Sequence, residues 1–316
     1  MMDNLVILGV TPTTSIIFDE EFPTIKKIAI EPYDIKYSSW LPISLTLVMD
    51  APRIKRVIKK EGQQLNTIIK ENQVDVVISD NRFGLVNKNV ECIYITHQLS
   101  IQAGWLSLMA DKIHHQYIKT FDRILVPDFE NKDKCLAGEL SRNHTFKNVE
   151  YIGPLSRLSN DTRVVEDLDY LILLSGPEPQ RTVLETTLLE IAKKSTKQIC
   201  IVRGSNKAIS TTANKNIKVI DYPSAEQLSQ LLLSAKKVLC RGGYSTLMDL
   251  YTLHKNNLIL IPTPGQHEQE YLANYWQETS NALVLLQKEL ELKLGFFYVR
   301  YINPLACCNH FYTPLF

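Results

Sequence analysis

The sequence predicts an α/β protein built from two doubly wound parallel-sheet domains. Three observations carry that reading. The chain has 316 residues, and at about 150 residues per domain that length corresponds to two domains. Its 45% hydrophobic residues against 22% charged ones supply a sizeable core and exclude a disordered tail, a collagen and a small disulfide scaffold. Short β-branched runs alternate with longer amphipathic stretches, and continuous apolar strands between such helices belong to parallel sheets covered on both faces.

The elements follow in order. Residues 5–10 (L-V-I-L-G-V) read as a buried strand, 13–22 as a short helix ended before Pro23, and 28–30 as a short strand. The run to Trp40 reads as irregular. Residues 51–71 place Ile54, Val57, Ile58, Leu65, Ile68 and Ile69 at helical spacing. Strands are expected at 74–79, 91–96, 123–126 and 149–152, with a helix over 100–119. Gly153-Pro154-Leu155-Ser156-Arg157 breaks the pattern, and polar residues 160–166 read as a linker. Alternation then resumes, with strands at 170–174, 198–202, 217–220, 238–240, 258–261 and 282–285. Helices fit 181–194, 224–235, 245–254 and 268–278. This gives an N-terminal domain over 1–154, a C-terminal domain over 167–287 and an atypical aromatic tail over 288–316 that lacks an amphipathic closing helix.

Charge and cysteine usage narrow the function. Lys+Arg 35 against Asp+Glu 34 leaves a formal net charge of +1, which argues against nucleic acid as a partner. The cysteines are Cys92, Cys135, Cys200, Cys240, Cys307 and Cys308 with no C-x-x-C pair, so zinc ribbons and thioredoxin-like motifs are excluded. His114-His115 has no second ligand pair at metal spacing, and no metal is expected there. The start, Met-Met-Asp-Asn, shows no basic region ahead of a long apolar run, which reads as a cytoplasmic chain with free thiols. The longest stretch without Asp, Glu, Lys or Arg, 92–110, holds His97, Gln98, Gln102 and Gly104, too polar for a membrane span. The basic run Arg53, Lys55, Arg56, Lys59 and Lys60 reads as a solvated helix face that could also meet anionic lipid headgroups at the inner face of a membrane.

In doubly wound domains ligands sit beyond the carboxyl ends of the strands, so the loops after the C-domain strands carry the chemistry. After 170–174 comes Ser175-Gly176-Pro177-Glu178-Pro179-Gln180-Arg181, where free N–H groups could face an anion or form an ordinary strand–helix turn. After 238–240 comes Arg241-Gly242-Gly243-Tyr244-Ser245-Thr246-Leu247-Met248-Asp249. Its paired glycines permit a tight turn and close backbone approach. Ser245 is placed to cap the helix while neighbouring N–H groups face a phosphate. Asp249, one turn in, could accept two ribose hydroxyl hydrogens or be a surface carboxylate. After 258–261 comes Pro262-Thr263-Pro264-Gly265-Gln266-His267-Glu268-Gln269-Glu270, whose polar side chains could bond sugar hydroxyls or form a solvated first turn.

These segments resemble the MurG-like, family 28 type of GT-B glycosyltransferases, which use UDP-sugars. Arg241, Gly243, Thr246 and Asp249 match the spacing of that family's R-S-G-A-x-T-x-x-E segment, with Asp in place of Glu. Gln269-Glu270-Tyr271 matches its Q-Q-Y, with Glu replacing the second Gln. The resemblance runs through residues 74–284 and is strongest over 238–274. It implies GT-B architecture, two Rossmann-like domains facing a cleft. It also implies a nucleotide-sugar donor, UDP-linked, bound by Ser175, Gly176, Arg241, Gly242, Gly243, Tyr244, Ser245, Thr246, Asp249, Gln266, Gln269 and Glu270. Helix starts at 175–181 and 241–246 would stabilise the leaving diphosphate without a metal. No cofactor beyond the co-substrate is implied. The acceptor would be a lipid-linked or saccharide hydroxyl, with Asp80, Asn81 and Gln98 on its side and His97 as base or orienting group; His97 as a helix cap is the alternative.

The chain departs from the family at its start. No strand followed by a Gly-rich loop ending in His is found, and residues 5–10 read as the family's second unit, so the first β–α unit reads as missing. Two other functions fit the same residues: a nucleotide-sugar-binding protein without efficient transfer, and a UDP-sugar epimerase.

Overall fold

The computed structural model describes residues 5–32, 43–101, 107–142, 144–160, 167–205 and 214–294. Most of the irregular run to Trp40, the linker residues 161–166 and the tail beyond 294 lie outside them. Contacts divide the chain into two units: Met1–Thr96 with Lys112–Leu125 and Phe146–Glu150, and His97–Asp111 with Val126–Thr145 and Tyr151–Phe316.

The first unit opens with strand β1 (Ile7–Val10), helix α1 (Pro12–Glu21) and strand β2 (Lys26–Ala29), the two strands pairing in parallel with Ile7 opposite Lys26. Thr11 starts α1 through a reciprocal cap: its hydroxyl accepts from the Thr14 N–H, and the Thr14 hydroxyl accepts from the Thr11 N–H. Pro12 in the first helical position costs no hydrogen bond there. Helix α2 (Ile43–Asn72) begins earlier than its periodicity predicts and carries Pro52 within it. Its buried side includes Val57, Glu61 and Leu65, while Lys55, Arg56, Lys59 and Lys60 are exposed. Strands β3 (Val76–Asp80), β4 (Glu91–Ile95), β5 (Arg123–Val126) and β6 (Val149–Tyr151) form a four-stranded sheet in that order, with helix α3 (Ser107–Ile118) between β4 and β5.

The second unit holds strand β7 (Leu168–Leu173), helix α4 (Gln180–Lys193), strands β8 (Ile199–Val202) and β9 (Ile217–Ile220), helix α5 (Ala225–Ser234), strand β10 (Ala235–Cys240), helix α6 (Tyr244–Thr252), strand β11 (Leu258–Leu260), helix α7 (His267–Ser280), strand β12 (Leu283–Val284) and helix α8 (Leu290–Leu294). The sheet order is β12-β11-β10-β7-β8-β9, with every pair parallel. Alternate strand residues feed two cores. Leu171, Val238 and Leu260 pack with Leu247 and Leu272 on one face; Ile172, Leu239 and Ile259 pack with Leu184 and Leu188 on the other. Leu290 is fully buried in the second core. The segment from 288 to 294, read from sequence as the start of an atypical tail outside the C-terminal domain, packs with this unit because α8 closes against α4. The four described cysteines are buried and form no disulfide.

The chain winds outward through β7, β8 and β9 and then returns to lay β10, β11 and β12 on the other side of β7. The strand order thus reverses between β7 and β10, and ligands of open parallel sheets bind beyond the carboxyl ends at such a point.

Candidate functional site

The loop after β10 is one side of this switch point. Gly243 takes the extended cap conformation (φ −77°, ψ 137°) ahead of α6, and the Leu247 N–H closes on its carbonyl at 3.1 Å. Ser245, expected to cap, is instead the second residue of the helix and exposed, because the glycine already occupies the cap. The N–H groups of Tyr244, Ser245 and Thr246 head the helix and have no acceptor within it. No acidic residue stands in the first turn, so the terminus is open to an anion. Gly242 is required by close approach: a Cβ there would lie 2.9 Å from the Gln269 carbonyl oxygen of α7.

Asp249 accepts a hydrogen bond of 2.6 Å from the Ser156 hydroxyl. Burial pushes its carboxyl above the ordinary value, against the opposing pull of that hydroxyl and of Arg157. Ser156 belongs to the stretch read from sequence only as a breaker.

The side chains of two residues expected to bind the donor are engaged within the protein. Arg241 is completely buried and donates to the carbonyls of Ile261 (3.1 Å), Pro262 (3.3 Å) and Gln180 (2.9 Å) and to Gln287 Oε1 (2.9 Å). Burial lowers its pKa to about 10. Its spacing in the motif reflects a brace between β11, α4 and the 287 turn. Tyr244 is also buried; its hydroxyl donates to the Pro127 carbonyl at 2.8 Å, and its ring stacks on His97 at 4.2 Å and 12°.

The β11–α7 loop is held by the side chains that follow it. The Thr263 N–H donates to Gln269 Oε1 at 3.0 Å, and the Gly265 N–H donates to Glu270 Oε1 at 3.0 Å. Both residues, expected as sugar contacts, thus spend one oxygen on the loop; Gln269 retains its amide N–H groups. Gln266 caps α7 without a side-chain cap bond. Glu268, read from sequence only as one of the polar side chains that could bond sugar hydroxyls, places Oε1 2.8 Å from His97 Nε2. His97 and the half-buried Gln98 belong to the second unit rather than to the N-terminal domain in which the sequence placed them.

The start of α4 in the β7–α4 loop is occupied by the chain's own carboxylate, Glu178. Gly176 has φ +100°, a conformation that favours glycine. The Arg181 N–H donates to the Pro177 carbonyl (3.1 Å) and the Thr182 N–H to Glu178 Oε2 (3.2 Å). Burial pushes the Glu178 carboxyl up, but the Thr182 hydroxyl and Arg181 outweigh it and hold it at about 2. An anion at this helix start would meet a carboxylate. Ser175 is half-buried at the end of β7. Behind the loop, buried Arg181 pairs with Glu185 at 3.1 Å, and Arg203 pairs with Glu185 and with Asp221 at 2.7 Å. This ionic network braces the β8 and β9 ends; no motif pointed to it.

In the first unit, Asp80 is exposed at the end of β3. Asn81 has φ +55° and accepts from the Tyr94 hydroxyl at 2.9 Å and the Thr96 hydroxyl at 3.4 Å. Its Oδ1 thereby ties the turn after β3 to β4 and the residue that follows it.

Residues 174–295 match the family model of the glycosyltransferase family 28 C-terminal domain. No protein with a curated description matches the sequence. Among solved structures the chain is similar to spinosyn rhamnosyltransferase SpnG complexed with thymidine diphosphate, at 11% identity and TM-score 0.59, covering 89% of this chain and 78% of that one. It is similar to the glycotransferase of kitacinnamycin at 13% identity and TM-score 0.57, covering 90% and 82%. It is similar to Arabidopsis thaliana UGT89C1 complexed with UDP-L-rhamnose at 12% identity and TM-score 0.52, covering 93% and 82%. The fold is that of GT-B glycosyltransferases, and with the family 28 match it supports a glycosyltransferase. No helix among the described residues is long and apolar enough to cross a membrane.

Proposed function

We propose that this chain, which carries a glycosyltransferase family 28 C-terminal domain on a GT-B fold, moves a hexose or N-acetylhexosamine from a UDP-linked donor to a lipid or saccharide hydroxyl without a metal. The observation that carries the reading is the open start of α6 at the switch point, with the Asp249 carboxylate one turn further on. The nucleoside diphosphates named with the similar structures, thymidine diphosphate and UDP-L-rhamnose, support a pyrimidine nucleotide. The exposed Lys55, Arg56 and Lys59 of α2 suit an anionic membrane face near a lipid-linked acceptor.

In this mechanism the diphosphate lies against the N–H groups of Tyr244, Ser245 and Thr246, where charge develops as the anomeric C–O bond breaks. Asp249 accepts from the ribose hydroxyls, and the Gln269 amide donates to the sugar. His97 donates its Nε2–H to Glu268, which leaves Nδ1 as the proton acceptor. The acceptor hydroxyl gives its proton to Nδ1 as its oxygen bonds the anomeric carbon, and the electron pair of the broken bond departs on the diphosphate.

The test is titration of the protein with UDP, followed by product analysis with UDP-sugars alone and with acceptors. Asp249→Ala should weaken UDP binding by about 1.5–3 kcal/mol, the range for a charged hydrogen-bond partner. Unchanged affinity would remove Asp249 from the site. Free nucleotide released only with acceptor supports transfer; an epimerised donor formed without acceptor would instead make the chain an epimerase.

A further inference from the structure

Arg241 raises a problem of charge that its brace does not solve. Its guanidinium is fully buried, and all four of its partners are neutral: three backbone carbonyls and the Gln287 amide oxygen. Among the described residues no carboxylate lies within ion-pair distance of it. Its Nε is buried with no hydrogen-bond partner at all. The other buried arginines of the same unit are treated differently. Arg181 and Arg203 both pair with Glu185, and each has a second carboxylate besides. A buried cation without a counter-charge costs several kcal/mol and is retained only against some compensation.

The position of that charge indicates the compensation. Arg241 is followed directly by Gly242 and Gly243 at the head of α6, and its guanidinium reaches the carboxyl end of β11 and the first residue of α4. Thr263, in the loop that Arg241 braces through Pro262, also keeps a buried hydroxyl with no partner. We propose that Arg241 is a positioning residue whose uncompensated buried charge, without touching the donor, is the electrostatic counterpart of the donor diphosphate. The anion supplies, through space, the counter-charge that no carboxylate provides. This rests on the donor reading above and deepens it: the selectivity is for two phosphates' worth of negative charge, independent of base and sugar.

Gln287 offers the test, because its Oε1 lies 2.9 Å from Arg241 Nη2. Gln287→Glu places a carboxylate there with little change of shape. The variant should melt higher than wild type, since the buried charge gains a partner. It should bind UDP and inorganic pyrophosphate about tenfold or more weaker, the size expected when a nearby unit charge is neutralised in partly desolvated surroundings. Uridine, which carries no phosphate, should bind both proteins alike. Gln287→Met, which removes the hydrogen bond and adds no charge, should lower the melting temperature without selective loss of UDP over uridine. A Gln287→Glu protein that melts higher yet binds UDP and pyrophosphate as wild type does would reduce Arg241 to a brace and overturn the proposal. Loss of uridine binding in parallel with UDP would overturn it too. Wild-type protein that binds neither UDP nor pyrophosphate would sink the donor reading itself, an outcome visible before any variant is made.

Discussion

Replacing Gly242 by alanine tests whether the β10–α6 loop and α7 form one rigid donor-side unit. An alanine Cβ at this position would sit 2.9 Å from the Gln269 carbonyl oxygen, 3.5 Å from the Ala273 Cβ and 3.7 Å from the Ala273 nitrogen. The two Ala273 distances are ordinary contacts. The first is short by about 0.5 Å, and the atom it meets is backbone, so no rotamer change relieves it. Helix α7 is held further along by Tyr275, whose hydroxyl donates to the Cys135 carbonyl at 2.9 Å, and by Trp276, whose indole N–H donates to the Leu136 carbonyl at 2.9 Å. The displacement therefore falls on the first turn, which carries Glu268 and Gln269. Overpacking of this kind costs about 1–3 kcal/mol, and in a unit of this size each kcal/mol lowers the melting temperature by roughly 2–4 °C. A reacting-group misplacement of about 1 Å can cost 10²-fold, so half that shift should lower kcat/KM for transfer roughly tenfold, while UDP affinity changes little. The control is Gly243→Ala: no atom lies within 4 Å of the added Cβ, and only the poorer cap, on the order of 0.5 kcal/mol, should register. Differential scanning fluorimetry and transfer kinetics on both variants decide the matter. A Gly242→Ala protein with wild-type melting temperature and kcat/KM would show that α7 and the loop are not packed as described.

Two further outcomes are expected. His97→Ala should lower kcat by about 10²–10⁴, the range for a lost general base, with UDP affinity unchanged; Glu268→Gln should lower kcat less, and wild-type turnover in His97→Ala would exclude it as the base. Glu178, held at about 2 against an ordinary 4.5, contributes stability that is full above pH 4.5 and lost as pH falls through 4.5 toward 2. Denaturant unfolding across that window should show a flatter acid limb in Glu178→Gln, by a modest margin because the group is 40% exposed and screened by solvent.

Much of the fold was written in local pattern. The run I-C-I-V at 199–202 is apolar on both sides because its strand is covered on both faces. The motif around 241–249 marked the strand–loop–helix at the switch point because glycine spacing and helix phase are properties of a few neighbouring residues. What the sequence could not decide was which polar groups face a ligand and which face each other. Arg241 and Asp249 stand eight residues apart in one motif, yet one is sealed beneath the loop and the other meets Ser156 across 93 positions of chain. His97 meets Glu268 across 171 positions. Glu178 occupies the start of α4 that its loop seemed to leave for an anion. Hydrogen-bond partners of this kind are set by where the strand ends converge, and residue spacing along the chain carries no record of that convergence. The sequence alone determined the α/β layers, the loops and the residue types available for chemistry; the tertiary structure decided their pairing, because a buried polar group must find its partner in space, wherever along the chain that partner lies.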